Sequence, residues 1–114
     1  MTDTDCIFCK IIAHEIPSEL VLETDTVVAF RDIAPQAPTH VLVVSRQHLG
    51  DVTDVAAAAP DVLAAMVDAA QRIADDECGG QFRLIFNTGP RAGQSVFHAH
   101  GHVLGGADLG WSPA

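Results

Sequence analysis

Three histidines recur at alternate positions in His98-Ala99-His100-Gly101-His102. With an ordinary pKa of about 6.5, an imidazole near neutral pH is largely uncharged and can attack phosphorus as a nucleophile. The phosphohistidine it forms is labile enough to be hydrolysed, and a second imidazole can donate an N–H to a nonbridging oxygen. Strand side chains alternate faces, so the spacing predicts all three rings on one face, with Ala99, Gly101 and Val103 on the other. At about 3.3 Å per residue the outer Cα atoms lie roughly 13 Å apart, whereas a metal–nitrogen bond is about 2 Å. One ion therefore cannot easily take all three, and the histidines must divide their labour. The plainer alternative is a run of core or surface histidines. Packing alone accounts poorly for strict alternation, because each buried ring needs a partner for its N–H.

The segment upstream, Thr88-Gly89-Pro90-Arg91-Ala92-Gly93-Gln94-Ser95, is suited to an anion. Gly89 and Gly93 permit close backbone approach, Gln94 and Ser95 add polar side chains, and the Ser95 hydroxyl could protonate a leaving group. A second constellation is Cys6-Ile7-Phe8-Cys9, a CxxC at a helix start. Two such thiolates converge on one zinc ion, and a Cys2His2 set needs two histidines from elsewhere. Four protein ligands would leave no position for water, so the zinc would be structural and the chemistry would need no cofactor. The alternative is a pair of packed thiols, with His48 an exposed turn residue and His14 solvated surface.

The elements that must hold these groups are legible in outline. A short helical turn is expected over Ile11–Ile16, ended by Pro17. Leu20–Glu23 and Thr26–Arg31 read as a hairpin, and the loop Asp32–Pro38 carries two prolines. Thr39–Ser45 is apolar enough for a central strand, and Arg46–Leu49 leaves it in a turn. From Pro60 to Glu77, Val62, Leu63, Met66, Val67, Ala70, Ile73 and Ala74 repeat at helical spacing, with Gly79-Gly80 as the stop. Cys78, at that end, is expected to be a small buried residue. Phe82–Asn87 and Val96–Leu104 complete about five strands. The expectation is one α+β domain over residues 1–114, an antiparallel sheet with one long and one short helix.

Composition limits the partners. Six Lys and Arg against 15 Asp and Glu give a formal charge of -9, with the cations scattered. No basic stripe is available for a nucleic-acid backbone, so no nucleic-acid partner is expected. An acidic surface also repels phosphate at long range, so a phosphate must be gripped by local N–H groups and histidines. The opening Met1-Thr2-Asp3-Thr4-Asp5 lacks a basic, apolar leader, and no apolar run approaches the ~20 residues of a membrane span. A cytoplasmic protein without membrane contact is the expectation, and the three cysteines fit reduced thiols or metal ligands.

His98-Ala99-His100-Gly101-His102-Val103-Leu104, with Gly93-Gln94-Ser95-Val96-Phe97 before it and Gly105-Gly106 after, resembles the histidine triad (HIT) family. Cys6–Ile12, Glu15-Ile16-Pro17, Phe30–His40 and the tail Leu109-Gly110-Trp111-Ser112-Pro113 are similar to its Hint branch, so the likeness spans nearly the whole chain. The resemblance implies hydrolysis of purine nucleoside 5'-phosphoramidates, and of aminoacyl-adenylates, through a nucleotidyl-histidine that releases AMP or GMP. It implies His100 as nucleophile and His102 near the phosphate, with a backbone carbonyl or His40 holding the ring's tautomer. Asn87, Gln94 and Ser95 match phosphate-side positions, Asp32 the ribose acceptor, and Ile7, Phe8, Ile33 and Leu42 the base pocket. Likeness to bacterial HIT proteins with this CxxC, and to galactose-1-phosphate uridylyltransferase, implies His48 and His98 as the completing zinc ligands. A homodimer joining two sheets, with the long helix at the interface, is implied as well. Gly101 departs from the family's hydrophobic residue at that position, and the tail departs from the usual Trp-Pro-Pro-Gly ending. The competing readings are a Fhit-type dinucleoside polyphosphate hydrolase, against which the tail argues, and a non-catalytic purine nucleotide-binding regulatory protein.

Overall fold

The computed structural model describes residues 5–111; Met1–Thr4 and the tail residues Ser112, Pro113 and Ala114 lie outside the described residues. Five strands form one sheet: β1 (Leu20–Glu23), β2 (Val27–Arg31), β3 (Thr39–Ser45), β4 (Phe82–Phe86) and β5 (His100–Gly105). Their order is β1-β2-β3-β5-β4, and every neighbouring pair is antiparallel. Among the described residues three α-helices accompany them, α1 (Ile7–Ile12), α2 (Val52–Ala58) and α3 (Pro60–Glu77), with a 3-10 turn at Pro90–Ala92. This is the expected α+β architecture, with α2 in addition.

β3 is buried at all its positions, as its unbroken apolar run requires of a strand covered on both faces. Period two divides its residues between two layers. Val41 and Val43 join Val27, Ala29 and Val103 against Val62, Met66, Ala70 and Ile73 of α3. On the other face Leu42 and Val44 join Val28 and Phe30 against Phe8 and Ile11 of α1. The β3–β5 register sets Leu42 opposite His102 and Val44 opposite His100, which puts both histidines on the α1 face. Pro60 occupies the first turn of α3, and Gly79 and Gly80, at φ of 62° and 80°, turn the chain out of it. Cys78 is the C-cap and only half-buried, contrary to the expectation of a buried thiol.

Two elements, α1 and β5, start elsewhere than the sequence expectation and α2 is additional, each for a local reason. α1 starts four residues earlier than Ile11, because Cys6 caps it, its sulfur accepting the Cys9 N–H at 3.4 Å. The helix is over before Pro17, where His14 takes a φ of 62°; that residue is exposed, 3.3 Å from Glu23. α2 is capped by Asp51, whose carboxylate accepts the Asp54 N–H at 2.9 Å. β5 begins at His100 rather than Val96, because the preceding backbone bonds to a loop and not to a ladder. The Ala99 N–H donates to the Leu49 carbonyl at 2.7 Å, and the Val96 carbonyl accepts from Gln94. His98 is therefore outside the strand, and the three histidines do not share one strand face.

Candidate active site and metal centre

The tautomer of each site histidine follows from its hydrogen-bond partners, since a carbonyl only accepts and a backbone amide only donates. His100 Nδ1 lies 2.7 Å from the His98 carbonyl. Its proton must sit there, leaving the Nε2 lone pair free. The ring is 8% exposed and is packed edge-on against Phe8 at 5.0 Å between centroids. Burial pushes its pKa below the ordinary value, only partly opposed by the His98 hydrogen bond and by Asp32, so it stays neutral and nucleophilic. The expectation offered a carbonyl or His40 as the group orienting this ring, and the carbonyl holds it.

His40 instead bonds His102. The Gln36 N–H donates to His40 Nδ1 at 3.0 Å, so the His40 proton is on Nε2. That atom lies 3.0 Å from His102 Nδ1 and 3.5 Å from Asp32 Oδ2. His102 then accepts at Nδ1 and carries its own proton on Nε2. Burial, followed by the neighbouring His100 and His40 rings, lowers the His102 pKa to about 4. Burial also lowers that of His40. A cavity of about 180 Å³ adjoins this pair, lined also by Gln36, Ile85, Asn87 and Leu104. The sequence reading missed Gln36, although its place in the loop entering β3 was a usable signal. Ile85 was also missed, although its register opposite His102 follows once β4 and β5 pair.

The glycine loop is built as a brace. Gly89 and Gly93 adopt φ of 88° and 97°, conformations that only glycine takes without strain. Gln94 is 4% exposed. Its Oε1 accepts the Gly89 N–H at 2.9 Å, and its Nε2 donates to the Gly50 and Val96 carbonyls. That amide is thus engaged by the backbone and holds the loop. Ser95 is exposed beside it and Asn87 half-buried. Asp32 has one oxygen on the Ala34 N–H at 2.7 Å. Of the apolar positions, Phe8 and Leu42 are buried, Ile7 is half-exposed and Ile33 is wholly exposed. Gly101 has Leu84 and Phe86 where its side chain would stand, both 2.9 Å from an added Cβ. Two β4 side chains thus fill the gap left by that departure.

Cys6, Cys9, His48 and His98 converge at the other end of the site. Their ligand atoms all lie within 4.8 Å of one another. Cys9 Sγ is 3.2 Å from His48 Nδ1, and His98 Nδ1 is 3.4 and 3.5 Å from Cys6 and Cys9 Sγ. With bonds of about 2.0–2.3 Å, the ligands of a tetrahedral zinc stand roughly 3.3–3.8 Å apart, so the set fits that ion. The tautomer fits too. His98 Nε2 is 2.6 Å from the Ser45 carbonyl, so its proton is there and the Nδ1 lone pair faces the thiols, as metal-bound histidines require. Asp32, His40 and His102 are also mutually close, but His40 Nδ1 accepts a hydrogen bond from the Gln36 N–H where a metal-bound ring would donate one. That polarity opposes a metal on Nε2.

Comparison with known proteins agrees with this geometry. A model of the HIT domain matches residues 13–109. The purine nucleoside phosphoramidase of Escherichia coli (strain K12) is 46% identical over 108 residues, covering 93% of this chain and 91% of that protein. A HIT family hydrolase from Clostridium thermocellum superposes with a TM-score of 0.89 at 41% identity, covering 95% and 96% of the two chains. A histidine triad protein from Clostridium difficile does so with 0.90 at 39%, covering 99% and 100%. Sequence, fold and relatives converge, and the chain belongs to the HIT domain family as one of its hydrolases.

Proposed function

We propose that the chain hydrolyses purine nucleoside 5'-phosphoramidates, and aminoacyl-adenylates by the same route, releasing AMP or GMP. His100 Nε2 attacks the α-phosphorus and the bond to the leaving group breaks; a phosphoramidate nitrogen departs with the electron pair and takes up a proton, whereas an aminoacyl carboxylate departs as the anion. Water then attacks the nucleotidyl-histidine, yielding the monophosphate and restoring the neutral ring. The observation that carries this reading is the 2.7 Å bond from His100 Nδ1 to the His98 carbonyl, which aims a lone pair outward and steadies the charge the ring gains. His102 Nε2–H serves a nonbridging oxygen, with Asn87 and Ser95 beside it. Asp32 takes the ribose hydroxyls, and Phe8, Leu42, Ile7 and Ile33 receive the base, the exposed Ile33 being covered by it.

Zinc, held by Cys6, Cys9, His48 and His98, is structural in this reading. When bound it supplies a fixed joint between α1, the turn after β3 and the segment before β5. The enzyme is a cytoplasmic homodimer of one HIT domain across residues 1–114, its sheets joined through the free edge of β4, with α3 at the interface. Among the described residues no helix is long and apolar enough to cross a membrane.

The test follows amine release from adenosine 5'-phosphoramidate. His100→Ala is expected to slow turnover by about 10⁴-fold or more. No turnover by the unaltered protein would favour a nucleotide binder, and faster cleavage of diadenosine polyphosphates would favour the Fhit-type activity. For the metal, elemental analysis should find about one zinc per chain, lost in a Cys6→Ser, Cys9→Ser variant that still hydrolyses substrate. A zinc-free native protein would overturn that assignment.

A further inference from the structure

We propose that His40, anchored by the main-chain N–H of Gln36, is a tautomer lock on His102, so that His102 is a permanent hydrogen-bond donor and never the acid that protonates the leaving group. The inference rests on the reading above in one respect, that His102 faces the phosphate. The remainder is proton accounting along a chain of hydrogen-bonded atoms. The Gln36 N–H donates to His40 Nδ1 at 3.0 Å. His40 Nε2–H donates to His102 Nδ1 at 3.0 Å. The Asp32 carboxylate, with Oδ2 3.5 Å from the same Nε2, sets negative charge beside that proton and favours it there.

For His102 to release its Nε2 proton, its Nδ1 would have to take the proton of His40 Nε2. His40 would then carry no proton on either nitrogen, because its Nδ1 faces a backbone amide, which is far too weak an acid to supply one. The chain of donors therefore ends in a group that holds its proton, and the relay has no source. A doubly protonated His102 is no alternative: its Nδ1–H would face the His40 Nε2–H across 3.0 Å, two donors with no acceptor between them, and burial beside two other imidazoles also holds the ring below its ordinary pKa. When the bond from phosphorus to nitrogen breaks, the nitrogen accordingly takes its proton from water, directly or through the exposed Ser95 hydroxyl. His102 ends the step with the proton it began with. Gln36 and His40 are thus positioning residues that act through His102, and Gln36 acts through its main chain, so its side chain is free to vary.

The test reads the tautomer itself. In ¹⁵N-labelled full-length protein near pH 7, long-range ¹⁵N–¹H spectra should show His102 as the neutral Nε2–H form; an Nδ1–H form or an imidazolium would overturn the proposal, whatever the activity. His40→Leu removes the donor. We expect a mixed tautomer at His102 and a kcat lower by about ten- to hundredfold, with KM for the nucleotide moving far less. His40→Gln, whose side-chain amide can still donate to His102 Nδ1, should recover most of that loss. An unmoved His102 spectrum in the Leu variant would overturn the lock. The spectrum of the unaltered protein decides even where a variant does not fold. Failure to hydrolyse phosphoramidates would leave that spectrum untouched, so the two readings fail separately.

Discussion

The neutral rings of the site should make the fold sensitive to acid, and His102 allows the size to be worked out. Its pKa in the fold is about 4, against about 6.5 in an unfolded chain. Below about 6.5 the unfolded chain binds a proton that the native state refuses. Stability therefore rises with pH across this window and is lost as pH falls from about 6.5 toward 4. Integrated between about pH 7 and pH 5, such a shift amounts to roughly 1.8 kcal/mol before screening. The ring is only half-buried beside an open cavity, and solvent screening reduces the figure to about 1 kcal/mol. His102→Asn keeps an acceptor for His40 and cannot titrate. Urea unfolding of both proteins at the two pH values gives a double difference in which the carboxylates and other histidines cancel. The native protein should lose about 1 kcal/mol more than the variant, equivalent to roughly 4 °C in Tm for a domain of this size. An equal loss in the two would show that His102 is not held neutral by the fold, and the reasoning from burial would fail.

Two further outcomes test the packing. Gly105→Ala puts a Cβ 2.6 Å from Cys78 Sγ and 3.1 Å from the Gln81 carbonyl; a loss of about 1–3 kcal/mol is expected in urea unfolding, partly recovered by adding Cys78→Ala. Met66→Ala empties a fully buried position under the sheet, and should cost about 2–5 kcal/mol with little change in KM.

The strands and the long helix could be read because their signals are local. Thr39–Ser45 and Pro60–Glu77 run where their hydrophobic patterns place them, because period two and period 3.6 are written in neighbouring residues. His98 was harder. Its alternation with His100 is genuine in sequence, yet a loop carbonyl at Leu49 captures the Ala99 N–H and takes His98 out of the strand. No pattern within residues 96–104 announces a partner so distant. Gln94 was legible only in part for a similar reason, since its polarity suits a phosphate while its backbone partners, Gly50 and Gly89, are fixed only by the fold. The resemblance to HIT proteins supplied the grouping of Cys6 and Cys9 with His48 and His98. Spacing alone had left the two histidines unassigned.

The strand order carries a consequence for how the molecule comes into being. β5 is the last strand in the chain but lies between β3 and β4, so during synthesis those two must wait with a gap between them. Each carries an unpaired edge until residues 100–105 arrive, and β3 meets β5 only across some sixty residues of intervening chain. His100 rides on the segment that fills this gap. A growing polypeptide therefore acquires its continuous sheet and the His100 imidazole in one event, and a chain cut short before His100 would have neither.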